Sequence, residues 1–440
     1  MTSTVRALAI TAEYTYSDGN HTFETPLIPG DTLSDTLFAL SKSFTDGEGV
    51  VLLDQEVADF FGFPAKAPRG KSAKSHVALD DPRNKKWKVS EVAPWMTFWY
   101  PGRPSVHVGI LPWLNRRTFP MMADSMLDMT YRLRRYHLLT GGAYRMTPGV
   151  AGLSTIRGNS KAPNTAFLPP IDIEPYTQDI EGPDVNWCQV CRHPEEFTGK
   201  YWHAYDVRAQ YLGAAISTDA PTGPLEHTGA DFTDFSRAGY WQIEVPNWIH
   251  GRLPNPCGVR SVMGQQIWVT TPTMQLLYEL DDSGLMINAV VLDSHTTAKT
   301  SRAFRAWGEK IRDSLFYYNW DNEPVDHRDI LRKEIKATYN QSIGLMNSPG
   351  GRVYNPLWYH TITAKARANL NRKVYKAAGI LGLEPVKNPQ FPAYINHDCV
   401  WFNNDISDGA KNPPGHFSVA NRLGGFRHTE GESPCGELKS

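Results

Sequence analysis

Nothing in this chain resembles a membrane segment. No stretch approaches the ~18 consecutive apolar residues needed to span a bilayer, and the start lacks the charged-then-apolar profile of a signal peptide. The expectation is a cytoplasmic protein with no membrane partner. Cysteine is scarce, with five in 440 residues. That small, odd number argues against a disulfide framework. A dominant charge is also missing: the net charge is −1, so no global field attracts a polyanion. Internal repeats and low-complexity tracts are absent. Gly350-Gly351 lacks the Gly-Lys-Ser/Thr of a phosphate loop and reads as a turn. The fourteen His follow no Cys/Ser partner pattern that would argue for a hydrolase. Cys188-Gln-Val-Cys191 with His193 begins like a zinc site, but no second pair follows nearby, and Cys257 and His203 are only remote additions.

What is present suits a globular protein of two or three domains, at 41% hydrophobic and 21% charged. Charge is patterned locally. From Ile335 to Leu383 there is no Asp or Glu, while Lys336, Arg352, Lys365, Arg367, Arg372, Lys373 and Lys376 are all positive. A second basic run holds Lys66, Arg69, Lys71, Lys74, Arg83, Lys85, Lys86 and Lys88. Such runs could line a groove that tracks phosphates, although the second is rich in Pro, Gly and Ser, as a loop is.

Periodicity predicts strands at Val5–Tyr16, Val50–Leu53, Ser105–Leu114, Trp202–Asp206, Tyr240–Val245, Gln266–Thr270, Ile287–Leu292 and Val400–Phe402. It predicts helices at Glu56–Phe63, Asp124–Thr140, Pro272–Glu279, Ser301–Tyr317, His327–Met346 and Thr361–Ala378. Gly141-Gly142 marks one helix stop. Strands around a split acidic site with a helical pair inserted make an α+β layout.

The chemistry-bearing order is a carboxylate on a strand (Tyr205-Asp206-Val207), a cationic Asn/Gly helix (Lys336 to Gly344), then a carboxylate in a hairpin (Asp398). Attack of a 3′-hydroxyl on a nucleoside triphosphate builds charge on the attacking and leaving oxygens. Two Mg²⁺ ions about 3.5–4 Å apart can clamp both, and such hard cations want carboxylate oxygen. Asp206 and Asp398 are the expected pair, with the Val207 carbonyl a further ligand. Lys336, Asn340 and Gly344 repeat at i, i+4 and i+8 and so share one helix face. A Lys there can neutralise the triphosphate, and a Gly leaves room for a template strand.

Those segments resemble family B DNA polymerases. Tyr205-Asp206 through Tyr211-Leu212 looks like the first palm motif, which makes Asp206 a metal ligand and Tyr211 the gate that excludes a ribose 2′-hydroxyl. Lys336-x3-Asn340-Gln-Ser342-Ile-Gly344 is similar to the fingers motif, with Arg332 and Lys333 as helpers at the triphosphate. Tyr394-Ile-Asn396-His397-Asp398-Cys399 resembles the final acidic motif, with Asp398 at its metal-binding position. Leu423-Gly-Gly-Phe-Arg427-His428-Thr-Glu430 looks like the stretch that grips the primer terminus through a cation, here Arg427. The coverage is 150–432.

The resemblance implies an α+β palm with an antiparallel sheet and inserted helical fingers, preceded by a ribonuclease H-like, exonuclease-type α/β domain. It divides the chain into 1–148 (exonuclease-like, degenerate), 149–300 (palm, first part), 301–378 (fingers) and 379–440 (palm, second part, with the thumb largely absent). It also implies template-directed addition of deoxynucleotides to a primer 3′ end, in replication of a phage, linear plasmid or mobile element. Asp206, Asp398 and Lys336 would be catalytic, two Mg²⁺ ions the cofactors, and Mn²⁺ a substitute. The partners would be primer-template DNA, dNTPs and a terminal protein or other replication protein.

The departures are specific. Asn396 stands where the family has the first Asp of the final motif, Ile343 replaces the fingers Tyr, and Leu212-Gly213 replaces a Pro. Asp54-Gln-Glu56 imitates the first exonuclease motif, but its spacing to Asp124 or Asp128 is short. The opposing expectation is a catalytically impaired relative that binds DNA ends, as a telomere-type protein does, and recruits replication factors. A reverse transcriptase-like enzyme would instead copy RNA.

Overall fold

The computed structural model describes residues 7–10, 16–17, 22–23, 32–42, 48–66, 88–92, 95–116, 119–159, 179–182, 186–258, 262–283, 289–349, 353–382, 388–431 and 434. Most of the basic run between Arg69 and Lys86, and Arg352, lie outside the described residues. The chain forms two compact units, 1–159 with 313–342, and 160–312 with 343–440. The helices in chain order are α1 (Leu33–Ser41), α2 (Gln55–Phe60), α3 (Met126–Thr140), α4 (Pro148–Asn159) and α5 (Gln210–Ser217). They continue with α6 (Thr271–Asp282), α7 (Arg305–Phe316), α8 (Val325–Leu345) and α9 (Pro356–Ala377). Among the described residues, no helix is long and apolar enough to cross a membrane.

The first unit is built on a seven-stranded sheet of β1 (Ala7–Ile10), β2 (Tyr16–Ser17), β3 (Thr22–Phe23), β4 (Glu48–Leu53), β5 (Lys88–Val92), β6 (Trp95–Trp99) and β7 (Ser105–Ile110). Its order is β3-β2-β1-β4-β7-β6-β5. The β1–β3 meander is antiparallel, and β4 and β7 run parallel to β1. That is the ribonuclease H-like arrangement, with a β5–β6 hairpin added. The near-continuous apolar runs of β4 and β7 fit strands covered on both faces. Val51, Val106, Val108 and Ile110 are fully buried, and Leu33, Leu37 and Leu40 of α1 cover them.

Local chemistry sets the helix ends. Ser125 caps α3 by accepting from the Asp128 N–H, and Gly141 stops it at φ 80°, in the left-handed region glycine favours. Asn355 caps α9, with Pro356 in the first turn, where its missing N–H costs nothing.

The second unit carries a five-stranded antiparallel sheet of order β18-β9-β17-β16-β8. Its strands are β8 (Asn186–Cys188), β9 (Tyr201–Val207), β16 (Tyr394–Asn396), β17 (Cys399–Asn404) and β18 (Phe426–Gly431). A four-stranded sheet joins β11 (Glu226–His227), β14 (Val291–Thr297), β12 (Ala238–Glu244) and β13 (Gln266–Thr270), and β10 (Ala220–Pro221) pairs with β15 (Thr300–Ser301). Phe402, Phe417 and Phe426 cluster around Tyr205 behind the first sheet. Each such buried side chain contributes about 1.5–3 kcal/mol.

Two sequence expectations change. The argument against disulfides fails locally, because Cys188 and Cys191 are bonded to each other across the turn after β8, with Cα atoms 5.5 Å apart. In the acid-free stretch, three of the cations expected to line a phosphate-tracking groove are engaged within the protein. Arg367 is buried with Glu181, Arg372 pairs with Glu279, and Lys373 lies 4.4 Å over the Phe426 ring. Periodicity alone could not show that acids distant in sequence neutralise Arg367 and Arg372.

Candidate active site

The site begins with strand register. β9 pairs with β17 on one side and β18 on the other, so Asp206 lies in one row between Cys399 and Arg427. The hairpin joining β16 and β17 turns at His397-Asp398, with Asn396 opposite Cys399. His397 takes φ 53° there, which closes the turn tightly. The Val207 N–H donates to the Asp398 carbonyl over 2.9 Å, fixing the turn against the end of β9.

This register brings Asp206 and Asp398 close enough for the charge of one to act on the other. Burial pushes the Asp398 carboxyl up to about 6, and the neighbouring Asp206 charge adds to the rise. Arg427 sits on the other side, its guanidinium 2.7 Å from Asp206 Oδ2. The cation expected at a primer strand is therefore in an ion pair with a carboxylate of the site.

After Asp206 the chain passes through Arg208 and Ala209 into α5, with Ala209 at φ 52°. Two backbone bonds tie this turn to the Gly424-Gly425 loop: the Arg208 N–H donates to the Gly425 carbonyl (2.9 Å), and the Gly424 N–H to the Arg208 carbonyl (3.1 Å). Gly424 adopts φ 69° there. Tyr211 stands half-buried in the first turn of α5. A Cβ added at Gly213 would meet Leu423 at ordinary contact distance, so the position has room for a side chain.

On α8, Arg332, Lys333, Lys336, Asn340 and Gly344 are all exposed, forming the polar stripe the spacing predicts. Leu331, Ile335, Thr338, Ser342 and Ile343 form the buried stripe, so Ile343 at the family Tyr position is a core residue. A side chain at Gly344 would meet open space. Arg332 lies 5.5 Å from the centre of the Trp320 ring. Lys336 and Asn340 belong to the first unit and the Asp206–Asp398 pair to the second.

The acids of the exonuclease-like motif do not assemble. Asp54 caps α2 by accepting from the Val57 N–H, and Glu56 points to solvent. Asp128 accepts from Ser125 and lies 3.3 Å from His327 Nε2, whereas Asp124 pairs with Arg116. Among the described residues, these four acids form no group of three metal-ligating atoms.

Sequence reasoning missed two clusters that do assemble: His203 with His428 and Glu430, and His227 with Asp293 and His295. The available signal was two-residue spacing on a strand, His428-x-Glu430 and Asp293-x-His295, which puts both side chains on one face. The third member of each cluster comes from a neighbouring strand whose register the sequence does not state.

No protein-family model matches the chain, and no curated protein matches it. The chain is similar in structure to phi29 DNA polymerase complexed with primer-template DNA and incoming nucleotide substrates. That match has 10% sequence identity and a TM-score of 0.48, and covers 96% of this chain and 84% of that one. For the same polymerase with primer-template DNA alone the values are 11%, 0.46, 94% and 80%. With single-stranded DNA they are 10%, 0.44, 94% and 80%.

Proposed function

We propose that this chain is a template-directed DNA polymerase that extends a primer 3′ end with deoxynucleotides. The observation that carries the reading is the meeting of Asp206 and Asp398, from segments far apart in sequence, at adjoining strand ends. Two carboxylates forced together repel, and Asp398 holds its proton to about 6 as a result of burial and that repulsion. Hard divalent cations relieve such repulsion, so the donor set fits Mg²⁺, with Mn²⁺ as a substitute. Asp206, Asp398 and the Val207 carbonyl would hold two ions. Bound there, Mg²⁺ supplies charge neutralisation at the attacking and leaving oxygens.

The protein's own groups do the rest. Lys336, flanked by Arg332 and Lys333, meets the triphosphate, and Asn340 and Gly344 on the same stripe face the nascent base pair. Tyr211 excludes a 2′-hydroxyl. Arg427 exchanges its partner Asp206 for the primer strand when cations enter. The partners are primer-template DNA, dNTPs and a terminal protein or other replication protein, in replication of a phage, linear plasmid or mobile element.

Primer extension with Mg²⁺ tests the reading. Losing a metal carboxylate is expected to cut extension at least ~100-fold, so Asp398→Asn and Asp206→Asn should both fall by that much while still binding DNA. Equal extension by parent and variants, or none by the parent despite tight binding to DNA ends, rejects the enzyme in favour of an end-binding protein.

A further inference from the structure

We infer that His203, His428 and Glu430 form a binding site for a borderline divalent transition ion such as Zn²⁺, separate from the Asp206–Asp398 pair and independent of the proposed polymerase activity. The strands place it. His203 on β9 is directly opposite Glu430 on β18, and His428 is opposite Tyr205. Side chains alternate along a strand, so His203, His428 and Glu430 share one face of the sheet, and Asp206 and Arg427 point from the other.

The ring atoms are set for coordination. His203 is fully buried, and its Nε2 lies 2.7 Å from the Ile406 carbonyl, an acceptor only. That contact makes Nε2 the protonated nitrogen and leaves the Nδ1 lone pair free to bind. A metal-binding histidine commonly gives its second N–H to a backbone carbonyl in this way. His203 Nδ1 faces His428 Nε2 at 3.0 Å, and one oxygen of exposed Glu430 completes a set whose atoms all lie within 4.8 Å of one another. Two nitrogens bound tetrahedrally to zinc stand roughly 3.3–3.4 Å apart, so a shift of a few tenths of an ångström admits the ion.

Gly409 walls the site. A Cβ there would come within 2.5 Å of His203 Nδ1 and 2.7 Å of His428 Nε2, so no side chain can occupy this space. Two imidazoles and one carboxylate leave a fourth position on the exposed Glu430 side, and imidazole selects Zn²⁺ over Mg²⁺. A bound ion would pin β18 and the 405–411 loop to the strand that carries Asp206. The competing account is a plain hydrogen bond from His428 Nε2–H to His203 Nδ1, which gives Glu430 no part.

The test is Zn²⁺ titration of the full chain after removal of metals by a chelator, read by calorimetry and by melting temperature, with Co²⁺ absorption reporting the ligand set. One saturable Zn²⁺ per chain is expected, raising the melting temperature. His428→Ala should weaken it on the order of 100-fold or more, and Glu430→Gln should weaken it by less. Both positions reach solvent, so these variants avoid the folding risk of replacing buried His203. Asp206→Asn should take up Zn²⁺ as the parent does. No saturable binding by folded parent protein, or equal binding by the parent and His428→Ala, overturns the inference. Loss of the site in Asp206→Asn would also overturn it, by assigning the ion to the carboxylate pair.

Discussion

At the scale of single residues, the informative surprise is the partner of Arg427. A half-exposed ion pair contributes little to stability in water, so the Arg427–Asp206 contact is better understood as a poised exchange than as a brace. On the proposed reading, cations that neutralise Asp206 would release the guanidinium toward a phosphate. Arg427→Gln should therefore weaken primer-template binding and reduce the slope of log affinity against log salt by about one, measured by fluorescence anisotropy across a salt series. An unchanged slope would mean that Arg427 stays on Asp206 and never meets DNA. The sequence indicated the residue and its charge, but not the pairing, because strand register alone puts 427 opposite 206.

At the scale of elements, what could be read in the sequence was whatever local chemistry decides. The strand Gln266–Thr270 matches its expected bounds, and the α8 stripe shows the burial that its i, i+4, i+8 spacing predicts. Asp54 misled because an acid before a helix serves equally well as a cap. The hairpin carrying Asp398 depends on His397 at φ 53°, a region closed to β-branched residues. His397→Val should cost about 1–2 kcal/mol in urea unfolding, whereas His397→Gly should be tolerated. Helix α8 holds a buried acid as well. Glu334 is 3% exposed, its Oε2 has no hydrogen-bond partner among the described residues, and burial pushes its carboxyl up to about 7 against the pull of Lys333 and of the neighbouring Tyr144. With the folded value above the ordinary one of 4.5, the unfolded chain loses this proton first. Stability should then fall as pH rises from about 4.5 to 7, by about 3 kcal/mol in all, and level off above. Glu334→Gln should flatten that slope in denaturation curves taken at several pH values. An unaltered slope would assign it to another group.

At the scale of the whole molecule, the α+β class follows from the pattern of elements and the antiparallel sheet from the family resemblance, and the structure has both. Long-range pairing was not legible, and the buried Arg367–Glu181 ion pair shows why. Its members are 1% and 2% exposed, and nothing near either residue in sequence marks it. Glu181 also accepts from the Thr270 N–H and hydroxyl, each at 2.7 Å, and from the Thr273 hydroxyl, while Arg367 reaches the Gly182 carbonyl. One carboxylate thus joins the segment at 181, the junction of β13 and α6, and the middle of α9. Removing one partner leaves an uncompensated buried charge, which typically costs about 3–5 kcal/mol. Arg367→Ala should lose that much in urea unfolding and speed amide exchange at Thr270, whose N–H depends on Glu181. Pairing Arg367→Met with Glu181→Gln should recover much of the loss, because the amide oxygen can still accept from Thr270 while neither charge remains. If Arg367→Ala instead costs less than about 1 kcal/mol, the pair is open to water and α9 is held by its apolar face alone.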